Sequence, residues 1–241
     1  DLESTSMGMN PLSPWLDNVL WPSMTEASWN DADGNPVFDS EAMRLAYSAQ
    51  KELIDYQGGY AVATGWESDF GPARGSVTDP ILTGEAGFLL LPDSAISSIY
   101  NAGVEAGYAY GEDWGIARVP GKSMFTAAVY EMNAKTTNPE ASWEAMSYLN
   151  SKEAMTYLAE GEKGVGALMP RKSALDALSE KEGVCDALKE VAVLLKEADL
   201  QSFPMSGYVN EYLGAIGNNM TAYMEGTMDM DTAVSNIQEE V

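Results

Sequence analysis

Residues 138–149, Asn-Pro-Glu-Ala-Ser-Trp-Glu-Ala-Met-Ser-Tyr-Leu, restrict this chain more than any other stretch, because they suit an amphipathic helix that needs a second surface. Asn138 is placed to cap it, Pro139 takes the first helical position, and Glu140 and Glu144 face its positive end. Trp143, Met146, Tyr148 and Leu149 supply the apolar stripe, so the segment reads as a docking helix. A second short helix follows, and then a Gly/Pro turn that ends in Pro170-Arg171-Lys172-Ser173.

A chain of 241 residues with 45% apolar and 10% aromatic content can bury one large core or two modest ones. Thirteen basic residues against 37 acidic ones give a formal charge of -24, and no basic cluster exceeds Arg171-Lys172. A phosphate backbone or an anionic bilayer is therefore repelled, and nucleic acid is excluded as a partner. The chain has no histidine and one cysteine, Cys185. Ser-His-Asp triads, Cys-His dyads, histidine-bearing zinc centres and paired-cysteine redox sites cannot be built from it. No catalytic residue, metal or cofactor is expected. Cys185 opens a helical pattern and reads as a small hydrophobe. No stretch approaches the ~18 apolar residues of a membrane span, and Asp1-Leu2-Glu3 is not a secretory signal.

Residues 1–38 are rich in Pro, Trp, Ser and Met, with a short helical stretch near Trp15–Leu20 and a turn at Asp31-Ala-Asp-Gly-Asn. From Ser40 to Gln57 the spacing of Ala42, Leu45, Ala46, Ala49, Leu53 and Ile54 predicts a helix that Gly58-Gly59 stops. Residues 60–80 read as a loop carrying Trp66 and Phe70. Ala86-Gly-Phe-Leu-Leu-Leu has the pattern of a fully buried strand. A helix near 94–103, strands near 114–119 and 125–132, and helices at 174–180, 184–198, 208–225 and 229–240 complete an α/β pattern with more helix than sheet.

Four motifs resemble chemistry that their spacing denies. Asp31-Ala-Asp-Gly-Asn-Pro-Val-Phe-Asp opens like a calcium loop, but its glycine is fourth rather than sixth and its twelfth position is Ala42. Five residues separate Gly115 from Gly121 where a phosphate loop requires four, and Pro120 removes a needed N–H. Ser48-Ala-Gln-Lys51, Ser68-Asp69 and Lys135-Thr-Thr echo the penicillin-recognising serine enzymes, yet Ser48 falls mid-helix and the Asn and Gly of the other two elements are missing. The methionines along 205–230 suit core filling better than a soft-metal site, since no histidine or second cysteine is present to anchor the metal.

Six segments resemble, in the same order, family 1 of the extracellular solute-binding proteins, the sugar-capturing subunits of ABC importers. Trp21-Pro22 with Asp33-Gly34-Asn35 and the Asp39-Ser-Glu-Ala helix are similar to the family's early segments. Ile81-Leu-Thr-Gly-Glu-Ala-Gly-Phe88 resembles its Phe-x-x-Gly-Lys-x-Ala-Met, with Glu85 and Gly87 as departures. Trp114-Gly-Ile-Ala-Arg-Val-Pro-Gly121, Asn138-Pro-Glu-Ala-Ser-Trp-Glu-Ala145 with Ser151-Lys-Glu-Ala154, and Pro170-Arg-Lys-Ser173 resemble the later ones. The resemblance implies a helix-rich α/β fold of the periplasmic-binding-protein type II, mainly its C-terminal lobe. Residues 1–129 and 178–241 would form that lobe, and 130–177 would return to an N-terminal lobe that this sequence lacks in the main. That lobe or another chain is then expected to cover 130–177. An extracytoplasmic site, membrane permease partners and an upstream signal peptide with a lipid-accepting cysteine are further implications.

Saccharides present apolar ring faces edged with hydroxyls, so a receptor combines flat aromatics with carboxylates and amides. Trp15, Trp21, Trp66, Tyr208 and Tyr212 are the candidate platforms, and Asp69, Asp93, Asn210 and Glu211 the candidate hydrogen-bonding partners. Where relatives often place an aromatic after the buried strand, this chain has Pro92-Asp93-Ser94. Capture of sugar without chemistry is the expected function. The alternative is an interaction or adaptor module on the same fold, and an enzyme ranks third.

Overall fold

The protein was analysed as a computed structural model that describes residues 7–12, 17–126, 129–160, 166, 168–203 and 207–241, with side chains omitted at 17 and 18. Helices dominate: α1 (Asp17–Met24), α2 (Glu41–Tyr56), α3 (Tyr60–Phe70), α4 (Pro80–Thr83), α5 (Ile96–Ala106), α6 (Pro139–Leu149), α7 (Lys152–Ala159), α8 (Lys172–Ser179), α9 (Asp186–Glu197), α10 (Val209–Met224) and α11 (Met230–Glu240). The strands are short: β1 (Met7–Met9) pairs with β2 (Ala86–Phe88), and β3 (Ser123–Phe125) with β4 (Leu200–Ser202), both in parallel.

The helix foretold from Ser40 forms because the Ser40 hydroxyl accepts the Met43 N–H at 3.2 Å and Met43, Ala46, Tyr47, Gln50 and Ile54 fall on one buried face. Its last side chain beyond the helix, Gln57, exchanges two hydrogen bonds with the backbone of Met9. The amide thereby acts as a neighbouring strand for β1 and protects its free edge. The four helices expected at the C-terminal end are present as α8 to α11.

Five expectations need correction. Residues 60–70 are helical rather than loop, since Ala63 and Trp66 are buried on one face and that burial outweighs the low propensity of Gly65, Ser68 and Asp69. The run after Ala86 is not buried on both sides: β2 has one partner, and Phe88 is 69% exposed. The strand expected at 114–119 is reduced to a bridge between Tyr110 and Trp114, and among the described residues of the strand expected at 125–132 only Phe125 is paired. Asn138 stands at the start of α6, but its side chain makes no capping hydrogen bond and contacts Thr137 instead.

Three apolar clusters organise the chain. The largest joins β1, α1, α2, α3, Phe203, α10 and α11, with Met43, Met220 and Met224 inside it, which is where core-filling methionines belong. A second packs Leu82, α5 and Trp114 against Ala187 of α9. A third joins α7, α8 and α9 through Ala159, Leu175, Leu178 and Leu188. Cys185 precedes α9 as a half-buried free thiol whose pKa burial pushes up, in keeping with a packing role. Helix α6 contributes no buried residue: Trp143 is 65% and Tyr148 66% exposed. Val129, Tyr130 and Met132 ahead of it are exposed as well.

Gly121 marks the tightest turn. Its φ is 66°, and a Cβ there would lie 2.1 Å from the carbonyl oxygen of Met24. Gly121→Ala is expected to destabilise the fold by about 1–3 kcal/mol, read as a lower denaturant midpoint. A variant as stable as the parent would show that this turn does not press on α1.

Candidate saccharide-binding site

The first turn of α10 is built on aromatic packing. Tyr212 is 1% exposed, and its hydroxyl donates to the carbonyl of Val37 at 2.7 Å. Its ring meets Trp29 and Phe203 at 6.2 Å each, Tyr208 at 6.3 Å and Phe38 at 6.4 Å. Burial pushes its phenol pKa upward. Tyr208, one turn earlier, is the half-buried rim of this group: its hydroxyl donates to the Gly34 carbonyl at 2.8 Å and accepts the side-chain amide of Asn30 at 2.5 Å. Asn210 and Glu211 follow it into solvent.

The loop that meets Tyr208 is the Asp-Gly turn foretold from sequence. The Asp31 carboxylate accepts the backbone N–H groups of Asp33 and Asn35, each at 2.9 Å, and the Asn35 amide. Those bonds hold its pKa below the usual carboxylate range, and they occupy the oxygens that a calcium loop would turn to the ion. Among the described residues no group of three His, Cys, Asp or Glu side chains is arranged to hold a metal. Two other motifs are also occupied by structure: Lys51 pairs with Asp55 at 3.0 Å beside an exposed Ser48, and the Lys122 N–H donates to the Ser23 carbonyl at 3.3 Å.

The remaining candidates do not gather around Tyr208. Trp21 is 8% exposed with its indole N–H on the Pro11 carbonyl. Trp66 is 5% exposed and stacks on Phe70 at 5.1 Å. Trp21, Trp66 and Tyr212 thus need correction as stacking platforms, because protein already covers their ring faces. Asp69 is exposed on the last turn of α3. Asp93 sits half-buried in the 3-10 turn Asp93–Ala95 ahead of α5 and accepts the Leu168 N–H. Trp15 lies outside the described residues. Cavities among the described residues include one of about 430 Å³ beside Gly75, Ser98 and Asn101, and one of about 790 Å³ lined by Tyr148, Lys152, Tyr157 and Lys181. Of the nine nominated residues, the eight that are described line neither. Asn30, Trp29 and Phe203 went unnoticed in the sequence. The single signal for the first two is their place just before the Asp-Gly turn, and Phe203 has none.

No family model and no curated protein matches the chain. Solved structures do. The mannobiose complex of CpMnBP1 superposes with a TM-score of 0.71 at 14% identity, over 100% of this chain and 60% of its own. A structure from Synechococcus sp. MITs9220, described as an oligosaccharide periplasmic-binding protein, gives 0.67 at 16% identity, over 98% of this chain and 60% of its own. The fold is that of the periplasmic binding proteins. It is the helix-rich α/β architecture the sequence foretold, and this chain spans 60% of the length of either neighbour.

Burial raises the Asp93 pKa above its ordinary 3.8, and its backbone hydrogen bonds offset only part of that. Stability from this group is therefore full below 3.8 and is lost as pH rises through the raised folded value. Asp93→Asn keeps an oxygen for the Leu168 N–H. It is expected to exceed the parent in stability at neutral pH and to lose that advantage as the solution is acidified towards 3.8, measured by denaturation across pH. An advantage that grows on acidification would contradict this account.

Proposed function

We propose that this chain is the saccharide-binding part of an ABC-type importer, capturing sugar outside the cytoplasm and handing it to membrane permease subunits without making or breaking a bond. The observation that carries this reading is the likeness over the whole chain to a protein solved with mannobiose bound. Tyr208 supplies the rim aromatic, with Asn210 and Glu211 on the next residues of α10. Asp69 and Asp93 are the further hydroxyl acceptors. A hinge that closes on ligand would shift the population towards the form that the permease recognises. The extracytoplasmic setting and a lipid anchor belong to the same proposal. Among the described residues no helix is long and apolar enough to cross a membrane.

In this reading residues 1–129 and 178–241 form one lobe, and 130–177 reaches towards polypeptide that these 241 residues do not include. Its support is the uncovered state of α6. An isolated helix of eleven residues is marginal in water and owes its stability to packing. The same observation favours a second reading, an adaptor whose partner is a protein seated on α6, with Trp21, Trp66 and Tyr212 committed to the core.

A saccharide panel separates the two. Mannobiose or a related oligosaccharide at about 100 times its Kd should stabilise the chain by about 2.7 kcal/mol, seen as a rise in Tm. A Tm that stays constant across the panel removes the receptor reading and leaves the adaptor. Trp143→Ala should change the stability of the 241-residue chain by less than about 0.5 kcal/mol. A larger loss would show that α6 is already packed.

A further inference from the structure

The cations of this chain are segregated. Residues 1–43, 75–117 and 197–241 hold 22 of the 37 acidic residues and not one Lys or Arg, while all 13 cations lie in 44–74 and 118–196. The fold brings the first and third of these stretches together, and the second reaches them through β2. β1, α1, Trp29 and Phe38 from the first, Ala86 and Leu89 from the second, and Phe203, α10 and α11 from the third share the largest apolar cluster. The first and third stretches, with 16 of those 22 acidic residues, therefore meet on the body that carries Tyr208, while most of 75–117 packs with α9 in the second cluster and 118–196 is close to neutral.

Lys122 enters that body beside Ser23 of α1, and the three cations of 44–74 that enter it are already engaged. Arg44 bridges Asp39 and Asp231 at 2.7 Å each, Lys51 holds Asp55 at 3.0 Å, and Arg74, the nearest cation in sequence to Asp69, holds Glu67 at 2.5 Å. Glu67 is shared with Asn10, which is fully buried. Among the described residues Asp93 makes no ion pair, and the N–H it accepts is a neutral donor. The start of α10 could attract an anion through its helix dipole, but Glu211 stands in that first turn and opposes it.

We infer that the saccharide taken by this face is uncharged or amine-bearing, and that uronates and sulfated or phosphorylated sugars are excluded. The inference rests on the proposed saccharide-binding function and narrows its ligand class. Recognition groups that are carboxylates accept protons from hydroxyls or ammonium groups and have none to give to an anion. The surrounding field adds a repulsion of several kT that acts over a Debye length and weakens with salt.

The test uses three matched ligands against the full chain in calorimetric titrations: mannobiose, its counterpart oxidised to a uronate at one primary carbon, and its 2-amino-2-deoxy counterpart. At about 20 mM salt the uronate should bind at least about tenfold more weakly than mannobiose, and the gap should shrink at about 300 mM. The amine-bearing sugar should match or exceed mannobiose, and this order should invert its salt dependence. The double variant Asp69→Asn, Glu211→Gln should narrow the uronate gap while mannobiose binding supplies the internal reference. A uronate that binds as tightly as mannobiose, or a gap that grows with salt, overturns the charge rule and leaves the saccharide reading standing. An unchanged gap in the double variant also counts against it. Failure of all three ligands to bind overturns the saccharide reading and this inference with it.

Discussion

The hydroxyl of Tyr212 gives its proton to the carbonyl of Val37, 175 residues earlier in the chain, and the ring below it is packed against four other aromatics. That contact joins the C-terminal helices to the segment that follows α1. A buried phenol without a partner would cost about 1–3 kcal/mol, so the bond also fixes the register between α10 and the 30–38 segment. Tyr208 inherits its place from this arrangement, one turn outward, with its own hydroxyl on Gly34 and Asn30.

Two regions of opposite character follow from the same framework. The body around Tyr212 is well packed and strongly anionic, whereas the 118–196 region is close to charge-neutral and includes a helix, α6, with no buried residue. Packing and charge thus divide the labour. The anionic body is suited to a ligand rich in hydroxyl donors, and the neutral arm can approach another polypeptide without the repulsion that two anionic surfaces would suffer.

Much of the fold was legible because helices write their signals locally. Ser40 followed by an apolar face, Gly107 after α5 and the capped starts of α7 and α11 all involve residues within one turn of each other. Strands were read less well, since a run such as Ala86 to Leu91 states that it favours burial but not which chain will cover it. The 125–132 segment shows the same limit: its pattern is that of a strand, and no neighbour pairs with residues 129–132. Residues 60–70 were missed for the converse reason, as long-range burial of Ala63 and Trp66 overrode a composition typical of loops.

The candidate site was the least legible part. Aromatic type and loop-like surroundings nominate Trp21, Trp66, Tyr208 and Tyr212 alike, and only packing separates the half-buried Tyr208 from the three that the core absorbs. By itself the sequence determined the helix-rich α/β class, the absence of histidine chemistry and the uneven distribution of charge, all of which are properties of composition or of neighbours along the chain. Only the tertiary structure decided which ring stays at the surface, that the first and third cation-free stretches come together, and that α6 is left bare. Each of those depends on contacts between residues far apart in the chain, and no local pattern records them.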